Sequence, residues 1–369
     1  MHGMIDSLEA ETAQTVIDKE MLTVALKSGG RLREAQVDDL HSAPIGQGQG
    51  LTAALLRVEP TYSTYESNAP RSIIVKMSSG EGPAQDIARS LRFMERECNA
   101  YANIRRMGAL RRPACYHYSL DRALGDGILF LEDLGKLTPG DQIAGTDDGQ
   151  TSAALKALSS FHAASWEDQT IGQSTHLPQF NDPAIVAIVQ QLYETARQPF
   201  DQNFGRKLPQ DFLTILDDVA KNMGNLADRL AEPPGTGLHG DFRADNLFFD
   251  HRDDTPTIWA IDWQISCIGR AVFDAAYFIS QSVPLRASHF TERTMLEAYH
   301  AALSANGVTG YDFDQCHLDY RRSVIYGLVY VVIACGFLGD GDKRSALLCE
   351  TLLERTIPLA RAHHGTDLL

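Results

Sequence analysis

No C-x-x-C pair occurs among the six cysteines of this 369-residue chain, and there is no internal repeat or low-complexity tract. Each absence excludes something. Cys98, Cys115, Cys267, Cys316, Cys335 and Cys349 are scattered through apolar surroundings. That fits buried, reduced thiols better than a disulfide framework or a zinc site. The longest apolar run, Tyr326 to Gly339, falls short of the ~18 residues of a membrane span and reads as a buried core helix. The opening "MHGMIDSLEAETAQTV" lacks the basic and then apolar segments of a signal peptide. Positive charge is scarce. Lysine and arginine number 33 against 48 acids, for a formal charge of −15. Such a chain repels phosphate backbones, so non-specific nucleic-acid binding is not expected. The expectation is a soluble cytoplasmic protein with no nucleic-acid or membrane partner.

What is present is an ordinary globular composition. Apolar residues make up 44%, enough for a sizeable core in one large or two ordinary domains. From Asp39 to about Leu134 the chain is strand-rich: "LTAALLRVE", "SIIVKM", "ACYHYSL" and "GILFLEDL" are short apolar runs. One helix interrupts them, because Leu91, Met94, Cys98, Tyr101 and Ile104 recur at helical spacing. Gly135, Pro139, Gly140 and Gly145 mark a crossover. Long helical patterns follow at Thr151–Trp166, Pro183–Gln198, Pro209–Leu230 and from Thr291 nearly to the end, with a polar loop at residues 167–182. The predicted fold class is α+β, a small antiparallel sheet with one helix (residues 1–134) followed by a mostly helical part (135–369). The connection at Glu132–Leu134 would lie at the crevice between the two.

Within the helical part sits one hairpin. Leu247–Asp250 and Thr257–Ile261 are apolar runs joined by "HRDDTP". Antiparallel strands of similar length bring their open ends together, so Asn246 and Asp262 would face each other, with Asp241 just before them. An amide oxygen beside a carboxylate suits a hard cation such as magnesium, and magnesium suits a nucleotide phosphate. Asp241 would be free to accept a hydrogen bond from an incoming hydroxyl, the arrangement phosphoryl transfer needs. The competing reading is a decorated hairpin with solvated ends.

"HGDFRADN", followed by "AIDWQ" and "FDAAYF", resembles the aminoglycoside phosphotransferase and choline kinase superfamily, which shares the protein-kinase fold. "IDWQ" with "LSSFHAASW" is most similar to its ecdysteroid-kinase-like branch. The resemblance implies a protein-kinase-like two-lobe fold, Asp241 as catalytic base, and Asn246 and Asp262 as magnesium ligands. It also implies that Asp274 and His239 support the loop by hydrogen bonding. It is good from about Ile45 to Tyr277.

For the nucleotide half, Gly46, Gly48 and Gly50 in "IGQGQGLTAAL" would let backbone amides approach phosphates, or would simply make a hairpin turn. Lys76 ends the run Ile73-Ile74-Val75, where a strand-end charge is the plain alternative. Glu97 has Phe93, Met94, Ala100 and Tyr101 as helix neighbours, a setting in which a carboxylate is expensive unless paired. It is therefore the predicted partner of Lys76, and the resemblance agrees, putting that lysine on the nucleotide phosphates. The resemblance also implies backbone contacts from Glu132 and Leu134 to adenine. His162 and Trp166, four apart on an alanine-rich helix, read as core packing.

The function these readings give is an ATP- and magnesium-dependent kinase acting on a small-molecule hydroxyl. No "DFG" or "APE" follows Asp262, so a protein acceptor is not expected. The alternatives are a kinase-like nucleotide-binding module without turnover, and a metal-dependent phosphoesterase using His239, Asp241 and Asp262. No pattern selects an acceptor. Specificity would reside in the 167–182 loop and the helices after Thr291.

Overall fold

A computed structural model describes residues 17–46, 53–78, 80–168, 171–284, 289–339, 341–365 and 368. The chain divides into two compact units, Met1–Ala102 with Arg112–Lys136, and Asn103–Arg111 with Leu137–Leu369.

The first unit is built on a five-stranded antiparallel sheet in the order β1-β2-β3-β5-β4. Its strands are β1 (Val37–Pro44), β2 (Ala53–Tyr62), β3 (Ile73–Ser78), β4 (Cys115–Asp121) and β5 (Asp126–Glu132). Period-2 alternation decides which side chain goes where. Ile73, Val75 and Met77 of β3 join Leu56, Val58 and Phe130 in one core, which helix α1 (Lys19–Ser28) closes with Leu22, Ala25 and Leu26. Each fully buried Leu or Ile there contributes roughly 1.5–3 kcal/mol. Lys76 lies between Val75 and Met77 in register and so points to the other face.

The helix predicted across Leu91 to Ile104 is α3 (Phe93–Asn103), and a separate helix, α2 (Pro83–Ser90), precedes it. All five residues of the predicted apolar stripe are buried. Arg92, at φ 56°, lies between the two helices. Among its described residues the unit thus carries three helices where the pattern predicted one. Alpha-helix α1 was missed because its turn of apolar residues is short and lies outside the strand-rich stretch.

The second unit is mostly helical. In chain order it holds β6 (Thr138–Pro139), α4 (Asp148–Ala163), α5 (Ile171–Thr175), α6 (Pro183–Asn203), α7 (Gln210–Ala231) and β7 (Thr236–Leu238). Next come β8 (Leu247–Asp250), β9 (Thr257–Ala260), β10 (Cys267–Gly269) and α8 (Val272–Ser282). The last three are α9 (Glu292–Ala305), α10 (Phe313–Leu338) and α11 (Lys343–His363). Two small sheets, β6-β8-β9 and β10-β7, carry the loops of interest. Arg111 joins this unit by pairing with β9: its amide donates to Ile258 and its carbonyl accepts from Ala260.

Helix α4 begins at Asp148 rather than Thr151, because Asp147 and Gln150 form a capping box. The single pattern after Thr291 is three helices, N-capped by Thr291, Asp312 and Asp342. The 167–182 stretch, predicted as loop, contains the short α5, and Gln179 bridges to Ile268. The long α10 packs against α6, α7, α8 and α11.

Candidate active site

The hairpin is antiparallel, in register from Leu247 opposite Ala260 to Asp250 opposite Thr257. Leu247, Phe249, Ile258 and Ala260 are buried, and a one-residue slip would expose them, so the register is pinned. One further rung extends the ladder, with the Ile261 amide donating to the Asn246 carbonyl at 2.9 Å. Asn246 therefore stands opposite Ile261, and Asp262 lies one residue beyond it rather than directly across. Asp262 has φ 64°, a left-handed backbone that aspartate tolerates better than most residues. The turn drives Trp263 fully into the core, edge-on to Phe161 and 4.6 Å from the His239 ring.

The loop from His239 to Asn246 is held from beneath. Gly240 has φ 85°, and a Cβ there would sit 2.3 Å from the Ile265 carbonyl oxygen, so only glycine fits. His239 is fully buried. Its Nδ1 accepts from the Asp241 amide at 3.2 Å and its Nε2 donates to the Ile261 carbonyl at 2.9 Å. Those partners require the neutral ring, and burial pushes its proton affinity below the ordinary histidine value, outweighing the nearby Asp274 and Asp241 charges. One side chain thus ties the Asp241 loop to the strand that delivers Asp262.

Asp274, in the first turn of α8, receives both amides of the turn: His239 N at 2.7 Å and Gly240 N at 2.8 Å. Its Oδ2 also accepts from His162 Nε2 at 3.1 Å, and His162 Nδ1 meets the Tyr299 hydroxyl at 2.7 Å. Asp274 and His162 are wholly buried. His162 is thus more than core packing; it braces the brace. A histidine on an alanine-rich helix needs a buried polar partner, and that requirement was the available signal.

Asp241 is 8% exposed. Its carboxylate accepts from Arg243 Nε at 3.0 and 3.1 Å and from Asn246 Nδ2 at 2.8 Å. Burial first, then the nearby Asp241 charge, hold the Tyr277 hydroxyl well above the usual phenol range. Burial works against the Arg243 charge, but Asp241 overcomes it and raises the guanidinium's proton affinity. Asn246 Nδ2 also donates to the Asp241 carbonyl at 2.9 Å. With its amide nitrogen occupied, Asn246 has Oδ1 left as an acceptor, and the half-buried Asp262 follows the residue bonded to its backbone. An amide oxygen and a carboxylate are a fitting donor set for magnesium. Among the described residues, no group of three or more His, Cys, Asp or Glu side chains is placed to hold a metal ion, so the donor set is the one amide oxygen and the one carboxylate.

In the first unit, Lys76 Nζ lies 2.6 Å from Glu97 Oε2, with both residues buried. Glu132 closes the end of the sheet, its amide donating to the Ala114 carbonyl and its Oε2 accepting the Ala114 amide at 3.0 Å. Leu134 is buried. Between them, Asp133 accepts from Arg57, Ser72 and the Gly135 amide, which fixes this segment. Gly46 has φ 67° at the end of β1, whereas Gly48 and Gly50 lie outside the described residues. Sequence reasoning missed Arg243, Gln142 and Tyr277. Arg243 stands inside the quoted motif, but nothing local shows that it turns back onto Asp241.

Several solved structures share this fold at low sequence identity. The Plasmodium vivax ethanolamine kinase superposes with TM-score 0.54 at 12% identity, covering 89% of this chain and 84% of that one. Choline kinase from Cryptosporidium parvum Iowa II gives 0.51 at 11% identity, covering 93% and 95%. The GDP complex of wild-type aminoglycoside 2'-phosphotransferase-IIIa gives 0.52 at 13% identity, covering 93% and 99%. Among curated proteins, none is similar enough in sequence to count as a relative. The model of the ecdysteroid kinase-like family matches residues 47–307, which include Lys76, Glu97, the His239–Asn246 loop, Asp262 and Asp274. With well over half of its length matched, the chain belongs to the ecdysteroid kinase-like family.

Proposed function

We propose that this protein is an ATP- and magnesium-dependent phosphotransferase that moves the γ-phosphoryl group onto a hydroxyl of a small, diffusible molecule. The observation that carries the reading is the division of labour at Asn246. Its Nδ2 bonds to Asp241, which leaves Oδ1 for a cation, and the backbone rung to Ile261 puts Asp262 next in the chain. Asp241 is thereby tied to the metal-holding hairpin while its carboxylate stays available to a substrate hydroxyl. The ethanolamine, choline and aminoglycoside enzymes of the same fold support the reaction class.

In this reading Asp241 accepts the acceptor's proton as the new P–O bond forms and the bond to ADP breaks. Asn246 and Asp262 would hold magnesium, which when bound spreads charge off the phosphates. Lys76, steadied by Glu97, would bind the nucleotide phosphates, and backbone groups of Glu132 and Leu134 would receive adenine. A cytoplasmic location without nucleic-acid or membrane partners belongs to the same proposal and rests on the acidic composition.

The test is Asp241→Asn. The amide keeps the shape but cannot take the proton, so Mg-ATP should bind with similar affinity by calorimetry. ADP release over a screen of small alcohols should fall about 10²–10⁴-fold, the usual worth of a positioned base. Asp262→Ala should instead lose magnesium-dependent nucleotide binding. Undiminished turnover in Asp241→Asn would sink the mechanism, and loss of metal with Asp241→Asn would favour a phosphoesterase.

A further inference from the structure

We infer that Arg243 is a positioning residue for Asp241, and that Gln142, anchored by Arg355 of the C-terminal helix α11, holds Arg243 in place. The inference rests on the phosphotransferase reading above.

An aspartate on a loop has two free torsions, whereas a general base must be aimed to within about 10–20°. Arg243 supplies the missing constraint. Its Nε sits 3.0 and 3.1 Å from the two Asp241 oxygens, which fixes the axis of the carboxylate, and Asn246 Nδ2, 2.8 Å from Oδ2, limits rotation about that axis. From the other edge of the same planar group, Nη1 donates to Gln142 Oε1 at 2.8 Å and to Asp245 Oδ2 at 3.3 Å. The guanidinium is a rigid bracket between the base and Gln142.

Gln142 can bear that load because it is itself immobile. It is 1% exposed, and all four of its polar groups have partners. Its amide donates to Asp245 Oδ1 at 2.6 Å, and its Nε2 donates to Gln281 Oε1 at 3.2 Å. Its carbonyl accepts from Arg355 Nη1 at 2.6 Å, and its Oε1 takes Arg243. Arg355 also donates to the Gln281 carbonyl at 2.7 Å and the Ile143 carbonyl at 2.9 Å, stapling this crossover to the end of α8. A buried amide with every group satisfied has one orientation. The aim of Asp241 is thus set from two sides. Asp274 fixes the backbone of its loop, and the Arg355–Gln142–Arg243 chain fixes its side chain. A lysine at 243 could not do this, because one ammonium cannot bond both the carboxylate and Gln142 in a fixed plane.

The experiment measures ADP release from Mg-ATP with water as acceptor, together with Mg-ATP affinity by calorimetry and thermal unfolding, on the full chain. Arg243→Ala should lower kcat about 10–100-fold, the scale of a misaimed group, with KM for Mg-ATP nearly unchanged. Guanidinium chloride at sub-denaturing concentration should restore part of that loss, and Arg243→Lys should not restore it. Gln142→Ala should show the same kcat effect at smaller size. Wild-type kcat in Arg243→Ala, while Asp241→Asn is impaired, overturns the inference and leaves the kinase reading standing. Loss of kcat that follows loss of folding and resists guanidinium also overturns it, since the role would then be structural. If wild type neither binds Mg-ATP nor releases ADP, the kinase reading fails first and takes the inference with it.

Discussion

A carboxylate removed from water demands a cation, and Glu97, 1% exposed, has Lys76 at 2.6 Å. The demand was legible in the sequence because the helix neighbours of Glu97 are apolar. The partner was legible because Lys76 ends a run of strand residues. Removing one member of a buried pair is costlier than removing both. Lys76→Met should therefore destabilise the protein by about 3 kcal/mol. The double variant Lys76→Met with Glu97→Gln should regain most of that loss, and neither should regain turnover. Urea unfolding midpoints beside ADP release check this; a double variant no more stable than the single would show that the pair is not the source of the loss. Arg243 is the opposite case. In sequence it is one polar residue among several, and its partner Gln142 lies a hundred positions away, so no local pattern could join them.

At the scale of elements, the loop between β7 and β8 is specified by His239 and Gly240 at its start and by Asp274 and His162 from distant parts of the chain. Its pH dependence follows from His239. An unfolded imidazole takes up a proton below about pH 6.5, while the buried ring, its proton affinity lowered by burial, stays neutral to lower pH. The unfolded state then binds more protons, so stability is full above about pH 6.5 and falls as pH drops toward the folded value. His239→Gln keeps an acceptor and a donor without the titration. Its unfolding midpoint should fall less than that of wild type between about pH 7 and pH 5.5. Equal slopes would mean that His239 does not carry the acid sensitivity. Helix boundaries taught a related lesson. The stripe from Leu91 to Ile104 is continuous in sequence, yet Arg92 turns left-handed within it. Apolar periodicity reports which face is buried and is silent about a single residue that breaks the rod.

For the whole molecule, the longest apolar element is the useful case. By length and composition α10 could cross a membrane, but 67% of its apolar window is buried within the second unit. A helix spent on a protein core has little apolar surface left for lipid. The purified chain should therefore remain in the aqueous phase of a Triton X-114 partition, and recovery in the detergent phase would contradict the packing of α10.

The sequence by itself determined the fold class, the hairpin, the Lys76–Glu97 pair and the identity of the acids at the hairpin mouth. Each is written in short-range signals: strand and helix periods, turn residues, and a charge placed where only a partner makes it tolerable. Tertiary structure decided the rest. It started the predicted helix only after a left-handed Arg92, placed Asp262 one residue past the partner of Asn246, gave His162 its role against Asp274, and turned Arg243 onto Asp241. The His162–Asp274 and Arg243–Gln142 hydrogen bonds join residues far apart in the chain, and such bonds form only after the hydrophobic core has brought their elements together.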